Sequence, residues 1–275
     1  MISPSHHNQH GFTLIEVLMV VLLITILAVV SIAVLPDTIN ESRFNQTVAK
    51  LNQIRNAMIG NPDIREGTTR TSFGYLGDVG SIPPGPTIVE GIAALLSRGA
   101  IPAFAVNSSV RFGFGWNGPY LTGVNNSTDF TKDAWGNLIV YSPGASPPTL
   151  ISRGADGAVG GSGFDQDITV TLPTELTTAT VSGFICQGGG PFTSSADVEL
   201  NYPDGSGALT AHPTSLKTLV PADKGNFSFP SIPFGVHSIS IYIPSGSPTI
   251  TLGPVLITVD KPNFVVPGDR IDISP

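Results

Sequence analysis

Residues 11–35 read GFTLIEVLMVVLLITILAVVSIAVL, and from Phe12 onward Glu16 is the only charge in twenty-four residues. As a helix this stretch rises about 36 Å, enough to cross a hydrocarbon core of about 30 Å. A carboxylate left unpaired in such a segment is costly, so Glu16 needs a partner or a task. A cleavable secretory signal has a shorter apolar region with a small-residue site behind it, whereas here a polar segment ends in Gly11 directly ahead of the apolar run. A cut after Gly11 makes Phe12 a free amine one helical turn from Glu16. Between staggered chains that pair favours docking in the one register that matches the charges, which makes Glu16 an assembly device.

The order G-F-T-L-I-E-V after a short polar leader resembles the class III signal of type IV pilins and type II secretion pseudopilins. The resemblance implies that a prepilin peptidase cuts between Gly11 and Phe12 and methylates the new amine. Residues 1–11 are then a leader, 12–35 a single-pass transmembrane segment in a bacterial inner membrane, and 36–60 a stem helix. The leader departs from the family in having no Lys or Arg, only His6, His7 and His10.

Pro36 is expected to kink or end the membrane segment. Beyond it Phe44, Val48, Leu51, Ile54 and Met58 recur at spacings of three and four, one apolar helix face, while Glu41, Arg43, Lys50 and Arg55 form a solvated one. Asn61-Pro62 is expected to stop the helix. The stretch 67–119 reads as a Gly/Pro-rich connector with one helix over 87–97. Three later segments, GWNGPYL (115–121), KDAWGNLIVYSPG (132–144) and ISRGADGAVGGSGFDQDI (151–168), resemble the carboxy-terminal half of the major pseudopilin of type II secretion. Residues 61–172 form its globular head by that resemblance.

In the last of these segments Asp156, Asp165 and Asp167 sit among five glycines with no basic residue after Arg153. Such carboxylates repel one another unless a cation lies between them, and an all-oxygen set on a flexible loop suits calcium. The family resemblance implies the same structural calcium. Trp116 and Trp135 read as core, and Asp133 as the cap of the turn presenting Trp135-Gly136-Asn137.

About a hundred residues remain after Ile168. Short alternating runs separated by PDG, KG, PFG and PSG turns read as an antiparallel β-sandwich over 178–275, with the boundary near 173–180. Phe227, Phe229, Ile239, Ile241 and Ile243 are its expected core, and Cys186 a buried hydrophobe. The pattern resembles the transthyretin-like, carboxypeptidase-regulatory-like family. The whole chain is therefore expected to be α+β: a long amino-terminal transmembrane and stem helix packed on a small β-sheet head with a calcium loop, then an all-β sandwich.

A net charge of −7 and no Lys/Arg cluster argue against nucleic acid as a partner. No catalytic constellation stands out; His212 and His237 are the histidines beyond the leader. The expected role is a structural subunit of a type II secretion pseudopilus or type IV pilus-like filament that drives protein export. Its implied partners are copies of itself, other pseudopilins, an inner-membrane platform protein and an assembly ATPase. Its head faces the periplasm, and the filament lies there or at the cell surface. The alternative is a minor or tip pilin whose sandwich binds cargo, carbohydrate or a surface.

Overall fold

The computed structural model describes residues 12–122, 128–210, 216–247, 252–266 and 271–273, without the side chains of 28–36, 128–129 and 216–217. The leader and Gly11 lie outside them. The helix α1 (Leu14–Ile59) runs 46 residues without a break, about 69 Å. Pro36 therefore neither ends nor divides it: one missing N–H costs one rung of the ladder, and the turns on either side continue. Helix α1 stops at Gly60, one residue before the expected Asn61-Pro62. Gly60 takes φ 80°, and a Cβ there would meet the Ser72 carbonyl oxygen at 2.2 Å. Among the described residues no helix is long and apolar enough to cross a membrane.

The carboxy-terminal half of α1 lays Leu51, Ile54 and Met58 on the head, all fully buried. Then follow the ribbon β1 (Arg65–Glu66) and β2 (Thr69–Arg70), α2 (Gly74–Val79), α3 (Ile88–Leu96), the hairpin β3 (Ala105–Asn107) and β4 (Phe112–Phe114), and α4 (Thr128–Thr131). Helix α3 starts on a reciprocal cap in which Thr87 and Glu90 satisfy each other's backbone N–H. The antiparallel sheet β5 (Val140–Ser142), β6 (Thr149–Ser152) and β7 (Ile168–Thr171) closes the head, with Tyr141, Leu150 and Leu172 turned into the core.

The extension contains β8 (Thr178–Gln187), β9 (Gly190–Pro191), β10 (Ala196–Asn201), β11 (Leu216–Leu219), β12 (Asn226–Pro233), β13 (Gly235–Tyr242), β14 (Leu252–Val259), β15 (Asn263–Val265) and β16 (Ile271–Asp272). One sheet has the order β11-β10-β13-β14; the other is β12-β8-β15, with β9 and β16 also on β8. Val181, Ile185, Phe227 and Phe229 of one sheet and Val198, Leu200, Ile239 and Ile241 of the other share the core, and Cys186 is buried. Ile243 is only partly buried. The sandwich is not antiparallel throughout. Strands β15 and β16 run parallel to β8, because the chain reaches them by crossing from the other sheet and not through a hairpin.

The head and the extension join in one continuous apolar cluster. The backbone N–H groups of Gly205 and Gly207 donate to the Val79 carbonyl (2.9 and 3.2 Å). A Cβ on the adjacent Gly80, itself at φ 93°, would lie 2.1 Å from the Pro203 carbonyl oxygen. The stretch 67–119, expected to be a mere connector, supplies α2 and the β3–β4 hairpin to this junction.

Candidate assembly and loop sites

At the start of α1 the Thr13 hydroxyl accepts from the Glu16 N–H (3.3 Å), while Glu16 Oε2 accepts from the Thr13 N–H and hydroxyl (2.9 Å each). Glu16 thus has a partner inside its own chain, a capping box legible as T-x-x-E in the sequence. The side chains of residues 14–27 around and beyond it are exposed on every side, Leu14 at 83% and even Val17 at 51%.

On the carboxy-terminal half, the 132–137 turn docks on the stem. Lys50 Nζ donates to the Lys132 carbonyl (2.7 Å), Thr47 Oγ1 accepts from the Ala134 N–H (3.1 Å), and Trp135 Nε1 donates to Asn40 Oδ1 (3.1 Å). Buried Asp133 organises the turn as expected: Oδ1 accepts from the N–H groups of Trp135 (3.0 Å) and Asn137 (2.9 Å), and Oδ2 from the Ser152 hydroxyl (2.7 Å). Asn137 Nδ2 then donates to the Gly154 carbonyl (2.8 Å), which ties the stem to the glycine-rich loop. Trp116 donates to the Ala94 carbonyl at the end of α3 (2.9 Å).

Within that loop the three aspartates take separate places. Asp156 is exposed and accepts from the Ala158 N–H (2.9 Å). Asp165 is exposed at the end of a 3-10 turn (Gly163–Asp165). Asp167 Oδ2 pairs with Arg153 Nη1 at 2.6 Å, whereas its Oδ1 is buried with no hydrogen-bond partner among the described residues. Among the described residues no three His, Cys, Asp or Glu side chains gather as a metal cluster. The cation beside Asp167 is Arg153, which the sequence reading placed outside the acidic group.

Nothing in the sequence singles out Arg70, yet it ties the junction together. Only 1% exposed, it donates from Nε to the Ser72 carbonyl (2.8 Å), from Nη1 to the Leu176 carbonyl (3.3 Å) and from Nη2 to the Ile59 carbonyl. Its guanidinium lies over the rings of Phe73 (5.2 Å) and Phe234 (5.8 Å), and its backbone N–H donates to Asp260 Oδ2 (3.1 Å). Burial, and then the charge of Arg65, pull its pKa down to about 10, so it stays charged at neutral pH. One side chain therefore joins the end of α1, the interdomain link and the sandwich.

Residues 6–32 match the prokaryotic N-terminal methylation motif, and residues 81–171 match the type II secretion system protein G family. The chain carries the signal and the head of a type II secretion pseudopilin. Both matched families are structural, not enzymatic. The extension lies outside both matches. A comparison with curated proteins finds no match. Among solved structures, a major pilin subunit of Bacillus cereus is similar at 13% identity over 50% of this chain and 38% of that one, with a TM-score of 0.25. This chain thus spans less than half of that pilin's length.

Proposed function

We propose that this pseudopilin is cut by a prepilin peptidase between Gly11 and Phe12, held in the inner membrane through 12–35 with its head in the periplasm, and assembled through α1 into a filament that drives protein export. The observation that carries this reading is the apolar start of α1, exposed around its circumference over residues 14–27 and continuous with a head of the protein G family. Such a surface needs lipid before assembly and sister helices after it. The cut would place a new amine beside the Thr13–Glu16 box, where a neighbour's carboxylate can meet it. Other pseudopilins, a platform protein and an ATPase complete the machine, and the subunit itself does no enzymatic chemistry. Intact mass tests this: a chain starting at methylated Phe12, lost in Gly11→Ala, supports it, and a chain starting at Met1 overturns it.

The glycine-rich loop offers calcium its donor chemistry: a buried, unpartnered Asp167 Oδ1, with the Asp156 and Asp165 carboxylates exposed elsewhere on the same loop, all hard oxygens that the loop would have to draw together around the ion. Calcium would neutralise these carboxylates and close the loop that leads into β7. Melting with calcium and with chelator reads this out; identical curves mean that Arg153 alone closes the loop.

The extension supports a second reading, a minor or tip subunit that displays a transthyretin-like domain to cargo, carbohydrate or a surface, because it is held on the head at a defined place by Arg70. Long homopolymers of overexpressed protein under the electron microscope favour the major role, and sparse labelling along mixed filaments the minor one.

A further inference from the structure

A cleft of about 300 Å³ opens where the β3–β4 hairpin of the head faces β13 of the extension. Phe104, Phe112 and Val236 give it apolar walls, and Thr71, Asp78 and Arg111 contribute polar ones. Phe104 and Val236 are 36% and 40% exposed, large apolar groups left open at a junction otherwise well packed. Asp78 is held from α2 by the Tyr120 hydroxyl, which donates to its Oδ2 (3.0 Å). Burial pushes its pKa up to about 6 against the pull of hydrogen bonds from Tyr120 and Asn117. Arg111, between β3 and β4, sits in the left-handed region at φ 65°. Its side chain is exposed, and its guanidinium makes no ion pair among the described residues. The two opposite charges thus line one cleft without neutralising each other.

An apolar cavity with a few polar groups and a perturbed carboxyl at a domain junction is the ordinary form of a small-molecule site. The charges cancel overall, which disfavours an ion. A purely apolar guest would desolvate Asp78 and Arg111 without replacing their hydrogen bonds. A neutral ring carrying hydroxyls on its rim and C–H groups on its face meets every wall. We propose that this cleft binds a pyranose ring, whose face packs on Phe104 and Phe112 while one hydroxyl donates to Asp78 and another accepts from Arg111. This inference does not rest on filament assembly, since it is read on the solubilised subunit.

The test is saturation-transfer NMR on the full chain in a zwitterionic, sugar-free detergent, titrated with the methyl pyranosides of glucose, galactose, mannose and N-acetylglucosamine. Saturable transfer to at least one is expected, weakened about tenfold in both Asp78→Asn and Arg111→Ala, the loss of one charge-assisted hydrogen bond. Arg111 is exposed, so its variant reads binding even where Asp78→Asn also disturbs folding. No transfer to any of the four overturns the proposal, as does transfer unchanged in Arg111→Ala. Displacement of the sugar by N-acetylphenylalanine amide at lower concentration overturns it too, since the cleft is then a pocket for an apolar side chain.

Discussion

Asp133 holds three donors on two oxygens, all inside the core side of the 132–137 turn. Asp133→Ala strands two backbone N–H groups and the Ser152 hydroxyl, which costs about 3 kcal/mol. Asp133→Asn keeps Oδ1 as acceptor and costs less; denaturant melts of the two variants check the order. Two other groups, one buried and one partly buried, make stability pH-dependent in opposite directions. Burial pushes the neutral His237 down to about 4 from an unfolded 6.5, so the unfolded chain binds more protons and stability falls as pH drops from about 6.5 towards 4. Asp78 is raised from 3.8 to about 6, so the folded chain holds more protons there, and stability falls as pH rises through that window by on the order of 3 kcal/mol. Melting temperatures from pH 4 to 7 should therefore climb more steeply with pH in Asp78→Asn than in the parent chain, and flatten or invert in His237→Gln. His237 itself shows how far a residue can be read alone. The sequence shows only a histidine beyond the leader with no catalytic constellation around it, and the structure buries it against Phe112 of the head and Tyr202, with Nε2 on the Pro233 carbonyl at 2.7 Å.

At the scale of elements, local chemistry explains the helices well. Helix α3 lies within the 87–97 run that its apolar spacing marks, and its start is set by the Thr87–Glu90 box. Thr87→Ala should cost about 1 kcal/mol of stability, measured by denaturation. A Thr87→Ser variant should recover most of it. Two element-level expectations failed for reasons outside local propensity. Pro36 did not end α1, because a proline inside a helix removes one rung and the turns on either side keep theirs. The last strands came in parallel to β8, because their direction depends on which sheet the chain leaves and not on their own alternation.

At the scale of the molecule, the head and the extension behave as one body. They share an apolar cluster, and Arg70 bonds to carbonyls of the head and of the link, lies over the Phe234 ring of the extension and meets Asp260 through its backbone N–H. Removing residues 178–275 should leave Phe73, Leu76 and Arg70 without their cover. The truncated head is expected to melt well below the full chain, which itself should unfold in one cooperative transition by calorimetry. Two separate transitions, the lower unchanged by the truncation, would show instead a tethered appendage.

What the sequence determined by itself was whatever depends on neighbours along the chain: the apolar run with its single carboxylate, the capping boxes, the turn around Asp133, the strand alternation after Thr178 and the family motifs in the head. What only the tertiary structure decided was whatever needs distant segments brought together. A lone Arg70 among threonines carries no sign of burial until three carbonyls and two rings surround it. Asp167 carries no sign that its near cation is Arg153, and the stretch 67–119 reads as a connector until β13 packs against it. The physical reason is common to all three: a charge or an apolar face is defined by what surrounds it, and the deciding partners are distant in sequence, with Arg153 and Asp167 14 residues apart and Asp260 190 residues beyond Arg70.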